Sequence, residues 1–109
     1  MPTCVAVFGP PGSGKTSLCS ALLGLLAASE DTQVEVLGRI SYVPQTAFIM
    51  NATVKENILF GAEWDETRYA SVVRACALDT DIAALPNADE TEVGERGITL
   101  SGGQKQRIA

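Results

Sequence analysis

The chain has 109 residues, with 8 Lys and Arg against 13 Asp and Glu, no His and a formal net charge of −5; 46% of the residues are hydrophobic and 19% charged. This is enough for one globular domain and too apolar for a disordered tail, while an acidic balance without a run of Lys or Arg argues against a surface for nucleic acid or anionic lipid. No apolar stretch approaches the roughly 20 residues of a membrane span, the start MPTCVAVFG lacks the marks of a secretory signal, and the absence of His removes any Ser-His-Asp triad or imidazole base.

Taken in chain order, Thr3 to Phe8 (TCVAVF) is an apolar, β-branched run that predicts a buried parallel strand. Gly9 to Lys15 (GPPGSGK) cannot continue it, and Lys15 to Ala28 then carries Leu18, Leu22, Leu25 and Leu26 at the spacing of a helix packed on a sheet. Arg39 to Val43 predicts a second strand, closed by Pro44, with a loop over Gln45 to Asn51. Thr53 is placed to cap a short helix through VKENILF, with Glu56 in capping-box position and Gly61 as a stop. Asp65 to Leu78 predicts a clearer helix with Tyr69, Val72, Val73 and Cys76 on one face, Asp79 to Leu85 adds a turn or two, and the acidic, glycine-containing stretch Asn87 to Gly97 predicts an exposed loop. Gly102 and Gly103 open a last helix. A run that opens in mid-core and closes in mid-helix predicts a piece of a longer domain. Cys4, Cys19 and Cys76, odd in number and without CxxC spacing, are expected to be reduced packing residues, and Tyr42 a core residue.

The strongest local signal is Gly9-Pro10-Pro11-Gly12-Ser13-Gly14-Lys15-Thr16, which fits G-x-x-x-x-G-K-[ST] between a predicted strand and a predicted helix. Wrapping backbone N–H groups around a triphosphate needs residues without a Cβ in the way, which Gly9, Gly12 and Gly14 supply. The amides of Gly12 to Thr16, with Ser13 and Ser17 in the same stretch, then face an anion at a helix N-terminus. Lys15 reaches the β- and γ-phosphates, and the Thr16 hydroxyl completes a Mg²⁺ shell. The expected ligand is a magnesium-bound triphosphate.

Leu100-Ser101-Gly102-Gly103-Gln104, continued by KQRIA, resembles the LSGGQ signature of ATP-binding cassette (ABC) ATPases. Tyr42-Val43-Pro44-Gln45 is similar to that family's Q-loop, Asn51 to Gly61 to the segment that follows it in exporters, and Thr91 to Gly97 (TEVGERG) to the exporter X-loop. With Arg74 to Leu78 (RACAL), these stretches look most like the first cassette of the multidrug-resistance-associated (C) subfamily, and the resemblance covers essentially the whole chain.

The resemblance implies an α/β P-loop NTPase fold: a partial cassette with a RecA-like part over 1–50, a helical subdomain over 51–101 and the start of the post-signature helix over 102–109. The Walker B strand, its carboxylates and the switch His are expected beyond Ala109, and the adenine-stacking aromatic before Met1. Lys15 and Gln45 are the implied catalytic residues, Thr16 and Gln45 the Mg²⁺ ligands. Ser101, Gly102, Gly103 and Gln104 are implied to meet ATP held by a second nucleotide-binding domain in a sandwich dimer. Q-loop and X-loop are implied to face the coupling helices of a transmembrane domain, so that the cassette sits at the cytosolic face of a membrane exporter. A channel or channel regulator of the same subfamily stays open. A soluble ABC ATPase is a remote alternative, since no coiled coil interrupts the chain between Lys15 and Ser101. An isolated chain of these residues is expected not to hydrolyse ATP.

Overall fold

The computed structural model describes residues 2–95 and 97–109, and the chain falls into two compact units, Met1–Ser41 and Tyr42–Ala109. The first unit contains one helix, α1 (Lys15–Leu22). It stops short of the expected Ala28 because Gly24 N donates to Ala21 O and Leu25 N to Ser20 O, a closure with Gly24 at φ +72°. Neither expected strand forms: Thr3 to Phe8 and Arg39 to Val43 have no ladder partner among the described residues. A strand is made by the chain beside it, and β-branched composition alone does not supply one. Their apolar side chains are accordingly exposed, Phe8 to 93%. Two packing expectations also fail, because Cys4 and Cys19 are exposed and so is Tyr42; Cys76, half-buried, does pack against the core.

The second unit holds β1 (Ala52–Thr53), α2 (Val54–Leu59), α3 (Glu66–Ala75), α4 (Asp79–Ala83), a 3₁₀ turn (Ala88–Glu90), β2 (Glu92–Val93) and α5 (Gly102–Ile108). The strands pair antiparallel, Ala52 opposite Val93 and Thr53 opposite Glu92. This corrects the exposed loop expected over Asn87 to Gly97: Thr91 and Val93 are buried, and the Val54 N–H donates to Thr91 O at 3.1 Å. Sequence composition hid the pairing because the partner lies some forty positions earlier in the chain.

Helices α2, α3 and α5 begin where a side chain takes an orphan amide. Thr53 Oγ1 accepts from Glu56 N at 3.1 Å while Glu56 Oε2 accepts from Thr53 N at 2.9 Å, so the expected capping box forms. Those bonds hold the Glu56 carboxyl below its ordinary pKa, the backbone N–H contributing most. At α3, Asp65 Oδ1 accepts from Arg68 N at 2.9 Å. That helix closes with Leu78 N donating to Val73 O and Ala77 N to Arg74 O, a Schellman arrangement with Ala77 at φ +52° where glycine is usual. The closure buries Leu78 and Val73 in one core with Val54, Val93, Leu100 and Ile108, so the helix ends carry both strands and the Leu100 that leads into Ser101.

Candidate functional site

In the first unit the glycine loop makes a tight turn into α1. Ser13 N donates to Pro10 O at 3.2 Å, and Gly12 and Gly14 take φ +80° and +92°. Among the described residues nothing lies within 4 Å of a Cβ at either position, so glycine is required there by backbone conformation. At Gly9 the need is steric, since a Cβ would come within 2.8 Å of Ser13 Oγ.

Gly14 is the N-cap of α1, which has no side-chain cap and no acidic residue in its first turn, so its first amides stay free and the positive end of the helix is not offset. Lys15 folds back over the loop: Nζ donates to Gly9 O and Pro10 O, both at 2.8 Å, and to Ser13 Oγ at 3.2 Å. Thr16 and Ser17 follow in the exposed first turn of α1. Free amides, one ammonium and the hydroxyls of Ser13, Thr16 and Ser17 around a turn that needs glycines form a donor set suited to a magnesium-bound polyphosphate.

In the second unit Ser101 caps α5, its Oγ accepting from Gln104 N at 3.2 Å and its N–H donating to Gln104 Oε1 at 2.9 Å. Gly102 and Gly103 leave open space where side chains would stand. Gln104 Nε2 donates to Asp81 Oδ1 at 3.0 Å, and the Arg107 guanidinium reaches Asp81 Oδ2 at 2.8 Å and Ala77 O at 2.8 Å. Gln45 is exposed in a bend after Pro44, whose carbonyl accepts from Gln106 Nε2. Glycine-loop residues thus assemble within one unit and the signature residues within the other.

The stretch after Gln45 is organised by residues to which motif reading gave no individual role. Asn57, buried on α2, accepts from Met50 N at 2.7 Å and donates to Met50 O at 3.1 Å and Thr53 O at 2.9 Å, folding the incoming chain onto the helix. Asn51 Oδ1 accepts from Glu95 N at 2.7 Å, tying this stretch to the expected X-loop, of which Arg96 lies outside the described residues. Gly94, at φ +100°, lies so close to Asn51 that a Cβ would stand 3.0 Å from its Cα.

Phe48 and Phe60 are largely exposed and meet edge to face at 6.4 Å. Lys55 Nζ stands 4.4 Å over the Trp64 ring, which packs on Tyr69 at 5.0 Å. Burial first, then donation from Tyr69 to Asp89 at 2.9 Å and the charges of Asp89 and Glu90, raise the Tyr69 phenol above its ordinary pKa. An asparagine inside a helix, where its propensity is poor, was the one available signal for Asn57.

A family model described as ABC transporter matches residues 2–109, and the chain belongs to that family, with the P-loop NTPase fold of ABC ATPases that this implies. Its relatives place it among C-subfamily members. It is 54% identical over 103 residues to ABC transporter C family member 5 of Dictyostelium discoideum, covering 94% of this chain and 7% of that protein. It is 53% and 51% identical over 105 residues to ATP-binding cassette sub-family C members 2 and 3 of Homo sapiens, each match covering 96% of this chain and 7% of the relative. The chain therefore spans less than a tenth of the length of these curated relatives. No helix among the described residues is long and apolar enough to cross a membrane.

Proposed function

We propose that these residues are part of the first nucleotide-binding domain of a C-type ABC exporter, which binds Mg-ATP and couples its turnover to transport. The observation that carries the reading is the glycine turn at α1: Gly12 and Gly14 at positive φ, unoffset first-turn amides, and Lys15 Nζ bound to the loop's own carbonyls. Arriving phosphate replaces those carbonyls as the partner of the ammonium, so the loop needs no large rearrangement.

In this reading residues 1–50 belong to the RecA-like part, 51–101 to the helical subdomain and 102–109 to the post-signature helix, with the Walker B carboxylates beyond Ala109. Gly9, Gly12, Ser13, Gly14, Lys15, Thr16 and Ser17 hold the polyphosphate. Thr16 and, by the family resemblance, Gln45 would offer oxygen ligands to Mg²⁺, which when bound would offset the charge on the phosphate oxygens. Ser101, Gly102 and Gly103 serve the nucleotide of a second nucleotide-binding domain, with Gln104 behind Ser101 in the same signature. The exposed Phe48–Phe60 pair, on the stretch that Asn57 holds against α2, is the apolar surface offered to the coupling helices of the transmembrane part at the cytosolic face. The chain alone, without Walker B and a switch His, does not hydrolyse ATP.

The test uses the full-length protein in inside-out vesicles. Ser101→Ala, which removes the hydroxyl, is expected to leave binding of labelled ATP within about twofold and to lower ATP-dependent substrate uptake by at least roughly tenfold, the loss of one charge-assisted hydrogen bond or more. Uptake equal to wild type counts against the sandwich role, and nucleotide-gated current in place of uptake selects the channel reading.

A further inference from the structure

Resting on that reading of the signature segment, we infer that Asp81 and Gln104 form one positioning unit that holds Ser101, with Gln104 acting through Ser101 and not as a direct contact to nucleotide. Both ends of the Gln104 carboxamide are engaged inside the chain. Its Oε1 accepts from Ser101 N at 2.9 Å and its Nε2 donates to Asp81 Oδ1 at 3.0 Å. A carboxamide has one acceptor end and one donor end, so the carboxylate at residue 81 dictates which way it faces. With Nε2 drawn to Asp81, Oε1 is left for the Ser101 N–H, and the capping box closes.

Asp81 is itself fixed. Its second oxygen accepts from Arg107 at 2.8 Å, and Arg107 also donates to Ala77 O at 2.8 Å and to Gly103 O at 3.3 Å. The guanidinium, always charged and planar, thus joins the end of α3 to α5 while Asp81 joins α4 to α5. Ser101 Oγ spends one lone pair on Gln104 N at 3.2 Å, and its O–H stays available for a phosphate oxygen. Three helices therefore converge on the aim of one hydroxyl.

Hydrogen-bond polarity gives a test. Asp81→Asn supplies one acceptor and one donor where Gln104 and Arg107 both present donors, so one contact must fail. Gln104→Glu sets two carboxylates against each other. The double variant Asp81→Asn with Gln104→Glu restores every pair. The amide nitrogen then at position 81 donates to the carboxylate then at position 104, Arg107 donates to the amide oxygen at position 81, and Ser101 N donates to the carboxylate's other oxygen.

In the full-length protein each single variant is expected to bind labelled ATP as wild type does and to lose roughly fivefold in kcat for ATP turnover, the size of a lost N-cap. The double variant is expected to return to within about twofold of wild type. Single variants with normal kcat, or a double variant at or below the weaker single, overturn the inference; the latter points to Gln104 touching nucleotide itself. Wild-type protein that binds no labelled ATP refutes the nucleotide reading instead. A single variant that fails to fold while the double variant folds and turns over supports the pairing, and failure of both to fold overturns it.

Discussion

Replacing Asn57 by Ala removes three hydrogen bonds at once, and the structure says which of them matters. Met50 O keeps a second donor, Ala52 N at 2.9 Å, so losing the 3.1 Å bond from Asn57 leaves it partnered. Among the described residues the Met50 N–H has only the 2.7 Å bond to Asn57 Oδ1 and is left in a half-buried place without one. An orphaned donor costs about 1–3 kcal/mol and each replaceable bond about 0.5–1.5, so we expect a loss of about 3 kcal/mol. Asn57→Asp is no gentler at neutral pH. One oxygen still accepts from Met50 N, but the other faces the carbonyls of Met50 and Thr53, which accept only.

That contact favours the protonated carboxyl and raises its folded pKa. The stability of Asn57→Asp relative to Asn57→Ala is therefore greatest below about pH 4 and falls as pH rises through the folded value. The assay is urea denaturation of the 109-residue chain followed by Trp64, its one tryptophan, whose ring packs on Tyr69. A cost below about 0.5 kcal/mol for Asn57→Ala, or an Asp variant as stable as wild type at pH 7, refutes the reasoning.

Two further outcomes concern stability. Ala77→Gly relieves a left-handed residue at the Schellman position and is expected to stabilise by roughly 0.5–1 kcal/mol, read as a higher urea midpoint with unchanged slope; a lower midpoint contradicts it. Tyr69→Phe removes the bond to Asp89 and is expected to cost about 1 kcal/mol at pH 7. Because the folded phenol titrates above its ordinary value of 10.0, that advantage is complete below pH 10 and declines as pH rises toward the folded value. Denaturation of both proteins at pH 8 and pH 11 checks this, and a stability gap that widens at pH 11 excludes it.

What could be read in advance was what a few neighbouring residues decide together. The Thr53 and Glu56 capping box, the Asp65 start of α3, the short α4, the Ser101 start of α5 and the turn into Lys15 all depend on spacings of three or four positions. Where a feature depends on a distant partner, local pattern misled or was silent. Thr3 to Phe8 has strand composition and no neighbouring strand among the described residues, while Glu92 and Val93 look like loop and pair with Thr53 and Ala52. In the candidate site the glycines, Lys15 and Ser101 were legible as motifs. The roles of Asp81 and Asn57 were not, because Asn57 works through bonds to backbone and Asp81 through two side chains more than twenty positions along the chain.

The central claim is that the turn at Gly9 to Thr16 holds a magnesium-bound nucleotide through Lys15. Equilibrium binding of labelled ATP with Mg²⁺ to the full-length protein, wild type against Lys15→Ala, tests it most directly. Saturable binding by wild type that weakens by at least about tenfold in the variant, the worth of one charged hydrogen bond, is the predicted result. Equal affinity in the two proteins would contradict the account.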